Sequence, residues 1–209
     1  MSGYARAERQ ALATLMAELG PDAATLCAGW TARDLAAHLV LRDRRPDAAL
    51  GIWLKPLAGH TAKVQAELAK SDFVDLLAQL REPPPWSPVS NPLLEEPVNV
   101  HEMFVHHEDL RRARPGWHPR ELDRGEREAL WRRVRLTSRL ALRRFPATVV
   151  VDAGEFGAVT GGKGGPRLTV AGDPGELAVF LSGRQAYARV TVEGDAAIVE
   201  RLRRARLGV

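Results

Sequence analysis

The sequence contains one cysteine, Cys27, among its 209 residues. A single cysteine excludes an intrachain disulfide and any metal site built from several thiolates. Any metal bound here would therefore use nitrogen and oxygen ligands, and Cys27 itself is interpreted as a small buried apolar residue. No apolar run reaches membrane-spanning length, and the first residues lack the hydrophobic segment of a signal peptide. We expect a cytoplasmic protein with no membrane partner.

Aromatic side chains are also scarce, at 6%, while the formal net charge is +4. Arginine clusters could follow a nucleic-acid backbone, but they alternate with Glu and Asp, and no recognition motif accompanies them. Solvated helix faces explain the clusters more simply than nucleic-acid binding does. With 45% apolar and 27% charged residues, the composition is ordinary for a globular chain of one large or two small domains.

Residues 99–112 carry three of the six histidines and contain neither Pro nor Gly. The stretch predicts a helix, in which Glu102 and His106 lie one turn apart on an apolar face. Asp109 lies on the same side. Because burying such groups without a partner is costly, their position on this face needs an explanation.

Two interpretations of this helix remain open. In the first, Glu102 and His106 share a hydrogen bond on a half-buried helix, and the neighbouring His101 and His107 are solvated. In the second, Glu102 and His106 are two metal ligands that converge with a third ligand from elsewhere. Imidazole and carboxylate ligands with an open position are typical of a catalytic or substrate-binding divalent site.

A second stretch, residues 30–42, supplies the missing ligand. Thr31 and Asp34 have the spacing of a helix N-cap and its capping box. His38 follows more than a turn inside that helix, among leucines. Such a histidine is usually a hydrogen-bonded core residue, but it is also a candidate third ligand. Arg42, one turn further on, is a candidate to support a carboxylate or meet an anionic ligand.

The remaining pattern predicts an α+β chain in two parts. For residues 1–115 we predict a four-helix bundle whose metal ligands point inward. One of its helices is long and extends from residue 59 to about residue 80. A proline-rich loop, residues 82–97, is a candidate lid. In residues 116–209, a linking helix precedes β-branched, strand-like segments and two further helices. The glycine-rich residues 161–165 predict a hairpin turn rather than a phosphate-binding loop.

The motifs of the first part resemble the DinB/mycothiol-dependent maleylpyruvate isomerase superfamily, in particular an actinobacterial branch of metal-binding proteins. The resemblance rests on Trp30-Thr31-x-x-Asp34-Leu35-x-x-His38-Leu39, Glu102-x-x-x-His106 and Asp109-Leu110. The second part contains the motifs Thr169–Gly172, Asp173-Pro174-x-Glu176-Leu177, Gly183-Arg184 and Val192-x-Gly194-Asp195. With these motifs it resembles the small sterol-carrier-protein-like domain at the C-terminus of that isomerase.

The resemblance implies a divalent metal, zinc before iron or nickel, held by His38, Glu102 and His106 with water completing the shell. In the isomerase, the metal helps a mycothiol thiolate add to an unsaturated substrate. Arg184 would match a functional arginine of the isomerase and bind a carboxylate. Arg42 is expected to bind the co-substrate. We therefore expect a transferase or isomerase that uses mycothiol and a small-molecule substrate. A metal- or ligand-binding stress or sensor protein without turnover is the alternative.

Overall fold

The computed structural model describes residues 3–87, 89, 91 and 95–208. The chain divides into two compact units, residues 1–117 and 118–209. The first unit is helical and the second contains a four-stranded sheet with helices, which confirms the predicted α+β class. Within the described ranges, no helix is long and apolar enough to cross a lipid bilayer.

The helices of the first unit pack their apolar faces around one core. In chain order they are α1 (Tyr4–Leu19), α2 (Ala32–Arg44), α3 (Pro46–Ala49), α4 (Ala58–Leu68), α5 (Phe73–Arg81) and α6 (Glu95–Arg112). Leu12 and Met16 of α1 meet Leu35 and Leu39 of α2 in a cluster that α5 and α6 complete. Each pair is spaced by four residues, as one buried face of a helix requires.

Two helix boundaries differ from the sequence prediction. The helix predicted over residues 59–80 is divided into α4 and α5, because the Asp72 carboxylate accepts the Val74 backbone N–H at 2.8 Å and starts a new helix. α6 begins at Glu95, inside the predicted loop, since Pro97 is tolerated in a first turn. The candidate lid includes residues 88, 90 and 92–94, which lie outside the described residues.

The second unit is an α+β layer of helices on a sheet. Its elements are α7 (Arg124–Leu142), β1 (Thr148–Asp152), β2 (Ala158–Gly162), β3 (Arg167–Ala171), α8 (Pro174–Leu181), β4 (Thr191–Glu193) and α9 (Ala196–Arg203). The strand order is β2-β1-β3-β4, with β1 parallel to β3 and the other pairs antiparallel. α8 is buried along its length and packs on α7.

The glycine-rich residues 161–165 are not the predicted hairpin turn. Gly161 and Gly162 are the last residues of β2, and residues 163–166 lead from there to β3. β2 and β3 flank β1 on opposite sides, whereas the β1–β2 hairpin turns at Ala153–Gly157. Gly162 has φ +93°, and a Cβ there would lie 1.9 Å from the Ala147 carbonyl oxygen. The glycine is needed because the chain passes close against the start of β1.

A buried ion pair joins α1 to α2. Arg9 and Asp43 are 0% and 1% exposed, and the Arg9 guanidinium donates both to the Asp43 carboxylate and to the Leu80 carbonyl oxygen of α5. A buried charge that loses its partner keeps its desolvation cost. The pair therefore fixes how three helices are arranged.

We predict that Asp43→Ala lowers the free energy of unfolding by about 3–5 kcal/mol, because the Arg9 guanidinium stays buried without its carboxylate. Urea denaturation followed by circular dichroism measures this loss. The matched control is Asp47→Ala, which breaks an exposed pair with Arg45 and should change stability little. A loss in Asp43→Ala no larger than in the control would contradict the prediction.

Candidate metal centre

Helix α2 presents His38 to the interior of the first unit. The Thr31 backbone N–H donates to the Asp34 carboxylate at 2.9 Å, which fixes where the helix begins. His38 follows two turns later and is 7% exposed. The Trp30 ring packs beside it, with ring centroids 5.0 Å apart.

Helix α6 presents Glu102 and His106 to the same place. Glu102 Oε1 lies 3.7 Å from His38 Nε2 and 3.4 Å from His106 Nε2. The His106 residue is 9% exposed, whereas the Glu102 side chain is 30% exposed. The three predicted ligands therefore meet in one cluster that is open to solvent on the side of the carboxylate.

The spacing of these atoms fits a divalent metal ion. A tetrahedral zinc with bonds of about 2.0–2.1 Å holds its ligand atoms ~3.4 Å apart. One ligand atom from each of His38, Glu102 and His106 lies within 4.8 Å of the others. Two imidazoles and one carboxylate are a donor set that zinc, iron and nickel all accept.

A second carboxylate orients the His106 ring. His106 Nδ1 lies 3.0 Å from Asp109 Oδ2, and Asp109 is 1% exposed. With the proton on Nδ1, the lone pair of Nε2 faces the Glu102 carboxylate. Two acceptors that face each other need a proton or a cation between them, and carboxylate–imidazole–metal arrangements supply the cation.

The titration behaviour of the cluster agrees with this need for positive charge. Burial tends to lower the pKa of His106, but hydrogen bonds with Asp109, Cys27 and Glu102 raise it well above its usual value. Burial likewise tends to raise the pKa of Glu102, but hydrogen bonds with His106 and His38 hold that pKa well below its usual value. For His38, burial dominates and lowers the pKa. Without a metal, a proton on His106 would supply the positive charge between the two carboxylates.

Arg42, the predicted co-substrate residue, lies beside Glu102. Its Nε is 3.6 Å from Glu102 Oε1, and its NH1 donates to Asn99 Oδ1 at 2.6 Å. The guanidinium is buried, and within the described part of the chain its Nε has no hydrogen-bond partner. A positive charge is thus held next to the cluster with one donor unused.

Arg184, the predicted catalytic arginine, belongs to the second unit. Its guanidinium donates to the Ser182 carbonyl oxygen just after α8, and the side chain is half-buried. Its predicted role as a carboxylate-binding residue remains a prediction.

Helix α6 makes two polar contacts that the sequence does not predict. His107, which the simpler interpretation places in solvent, is 7% exposed, and its Nδ1 lies 2.9 Å from Glu8 Oε2 of α1. Cys27, interpreted as an apolar residue, lies with its Sγ 3.2 Å from Asp109 Oδ2. Both partners are distant along the chain, so no local spacing could have indicated them.

Comparison with known proteins identifies the family of the chain. The model of the mycothiol maleylpyruvate isomerase N-terminal domain matches residues 5–111, about half of the chain. The chain belongs to this family. The matched range contains all three residues of the candidate metal cluster. No curated protein shows a significant match to the sequence.

A likeness in fold to a solved structure extends over both units of the chain. A crystal structure of the mycothiol-dependent maleylpyruvate isomerase is similar with a TM-score of 0.51, covering 91% of this chain and 90% of that chain. At 15% identity, this likeness concerns the fold alone. The more specific resemblance of residues 116–209 to a sterol-carrier-protein-like domain remains a prediction.

We predict that protein purified without an affinity tag or chelator carries about one zinc per chain, and that His38→Ala, His106→Ala and Glu102→Gln each lose it, since two remaining ligands hold zinc weakly. Elemental analysis measures the content, and circular dichroism checks that each variant is folded. His60→Ala is the matched control, because His60 contacts exposed Asp47 elsewhere. Tight stoichiometric zinc in folded His38→Ala would contradict the ligand set.

Proposed function

We propose that the protein binds one divalent metal ion, zinc first, through His38, Glu102 and His106, and uses it in a mycothiol-dependent transfer or isomerisation. The observation that carries the proposal is the convergence of three ligand atoms with a carboxylate-oriented imidazole, in a chain that belongs to the isomerase family. A structural site would be closed by a fourth protein ligand, whereas this cluster has three candidate ligands, of which the Glu102 side chain is 30% exposed.

A bound divalent metal would lower the pKa of a coordinated thiol and so supply a nucleophile near neutral pH. The protein residues hold that chemistry in place. Asp109 keeps the Nδ1 proton of His106 and directs Nε2 into the cluster. His38 is buried and the half-buried Trp30 ring packs beside it, so these two residues shield one side of the cluster from water. The partly exposed Glu102 side chain would admit a small molecule from the other side.

Arg42 would position an anionic group of the thiol or substrate. Its buried guanidinium is held at one end by Asn99, and its Nε, which has no hydrogen-bond partner among the described residues, lies 3.6 Å from Glu102 Oε1. Charge-assisted hydrogen bonds to a carboxylate are stronger than neutral ones. The match to the isomerase by fold, and the family's name, support mycothiol as the thiol and a small unsaturated acid as the substrate.

The alternative is a metal- or ligand-binding protein without turnover. One observation favours it: the guanidinium of Arg184 is already used by the Ser182 carbonyl oxygen of its own chain. This contact uses one of the guanidinium donors within the residue's own loop. The three candidate metal ligands all belong to the first unit, so metal binding there would require no residue of the second unit.

We predict that zinc-loaded protein consumes maleylpyruvate only when mycothiol is present, and that folded His38→Ala loses this turnover while His60→Ala keeps it. The loss follows because the thiol has no metal to lower its pKa. A spectrophotometric assay with mycothiol omitted or replaced by another thiol measures the dependence. Stoichiometric zinc with no thiol-dependent turnover on this or related unsaturated acids would favour the binding protein instead.

We further predict that Arg42→Met raises KM for mycothiol or substrate about tenfold or more and leaves zinc content unchanged, because one charge-assisted hydrogen bond is lost. Steady-state kinetics beside elemental analysis separate the two effects. Lys63→Met, an exposed cation of the same unit, is the control. Loss of zinc in Arg42→Met would show instead that Arg42 supports Glu102.

A further inference from the structure

We propose that Cys27 is a positioning residue of the metal centre: its thiol donates to Asp109 and holds the carboxylate that orients His106. The inference rests on the proposed function, because it concerns the same metal site. It assigns a polar role to the one cysteine of the chain, which the sequence pattern alone describes as an apolar residue.

Three atoms carry the inference. Cys27 Sγ lies 3.2 Å from Asp109 Oδ2 and 3.9 Å from His106 Nδ1, and the same carboxylate oxygen lies 3.0 Å from His106 Nδ1. A thiol S–H and a ring N–H thus converge on one oxygen. Asp109 is 1% exposed, so its carboxylate relies on protein donors to balance the cost of burial.

The backbone around Cys27 holds the thiol in place. The Leu26 backbone N–H donates to the Asp109 carbonyl oxygen at 3.1 Å, which joins this loop to α6 next to the carboxylate itself. The Thr25 hydroxyl accepts the Cys27 N–H at 3.2 Å and donates to the Trp30 carbonyl oxygen at 2.9 Å. The loop that precedes α2 therefore connects both ligand-bearing helices, with Cys27 between them.

Cys27 approaches the edge of the His106 ring that does not face the metal cluster. Its role is therefore to position His106 and not to bind the metal directly. The candidate ligand Glu102 faces the Nε2 edge of the His106 ring, whereas the Cys27 thiol lies at the Nδ1 edge. A metal held by His38, Glu102 and His106 Nε2 would therefore bind at the opposite edge of the ring from the thiol. Cys27, Nδ1 and Asp109 could hold a metal themselves only by giving up both protons that now bind the carboxylate.

Partners that orient a metal-bound imidazole typically contribute a factor of about 10–100 to metal affinity. We expect Cys27→Ala and the similarly sized Cys27→Val to lose part of this factor, because the Asp109 carboxylate loses one donor. Cys27→Ser keeps a donor at the same position and should recover most of the affinity. A role in packing alone predicts the opposite order, in which Cys27→Val is closest to wild type.

The test is a competition titration of zinc against a chelator for the wild type and the three Cys27 variants, with the visible spectrum of each cobalt-substituted protein. Circular dichroism melting verifies that each variant folds. Weaker zinc binding by about tenfold or more in Cys27→Ala and Cys27→Val, with recovery in Cys27→Ser and a changed cobalt spectrum, is the expected result.

Two outcomes overturn the inference alone. Wild-type zinc affinity in folded Cys27→Ala and Cys27→Val removes the positioning role. A thiolate-to-cobalt charge-transfer band in wild type that disappears in Cys27→Ser makes Cys27 a ligand. Wild-type protein that binds no zinc or cobalt at all overturns the proposed function, and the inference with it, so the two failures are distinguishable.

Discussion

The organisation of the first unit depends on how it compensates buried charge. Glu102 brings a carboxylate to within 4 Å of two imidazoles, and Asp109 places a second carboxylate behind one of them. Such groups are too costly to bury unless each charge meets an opposite charge or a hydrogen-bond donor. The ring of His106 can serve both carboxylates only if positive charge lies at its Nε2 edge. A bound metal ion would satisfy that requirement, and with three protein ligands it would keep a coordination position open for chemistry.

Much of this site could be predicted from local spacing. The helical period alone placed Glu102 and His106 on one face, and the capping pair Thr31 and Asp34 fixed the register that turns His38 inward. The fold class followed in the same way from the change of period after Pro146. These features depend on residues within one or two turns of each other, where sequence patterns are informative.

The contacts that sequence reasoning missed join distant parts of the chain. Cys27 meets Asp109 across 82 positions and Glu8 meets His107 across 99. No spacing rule connects such residues, since tertiary packing alone brings them together. The glycine-rich residues 161–165 show a related limit: their composition predicted a turn, but which strands that turn connects depends on β1 lying between β2 and β3.

The most direct test of the account is a crystal of the zinc-loaded protein measured on both sides of the zinc absorption edge. The account predicts one anomalous peak about 2.0–2.1 Å from His38 Nε2, His106 Nε2 and a Glu102 oxygen, with His106 Nδ1 still bound to Asp109. A peak among Cys27, His106 Nδ1 and Asp109, or no peak in the first unit, would contradict it.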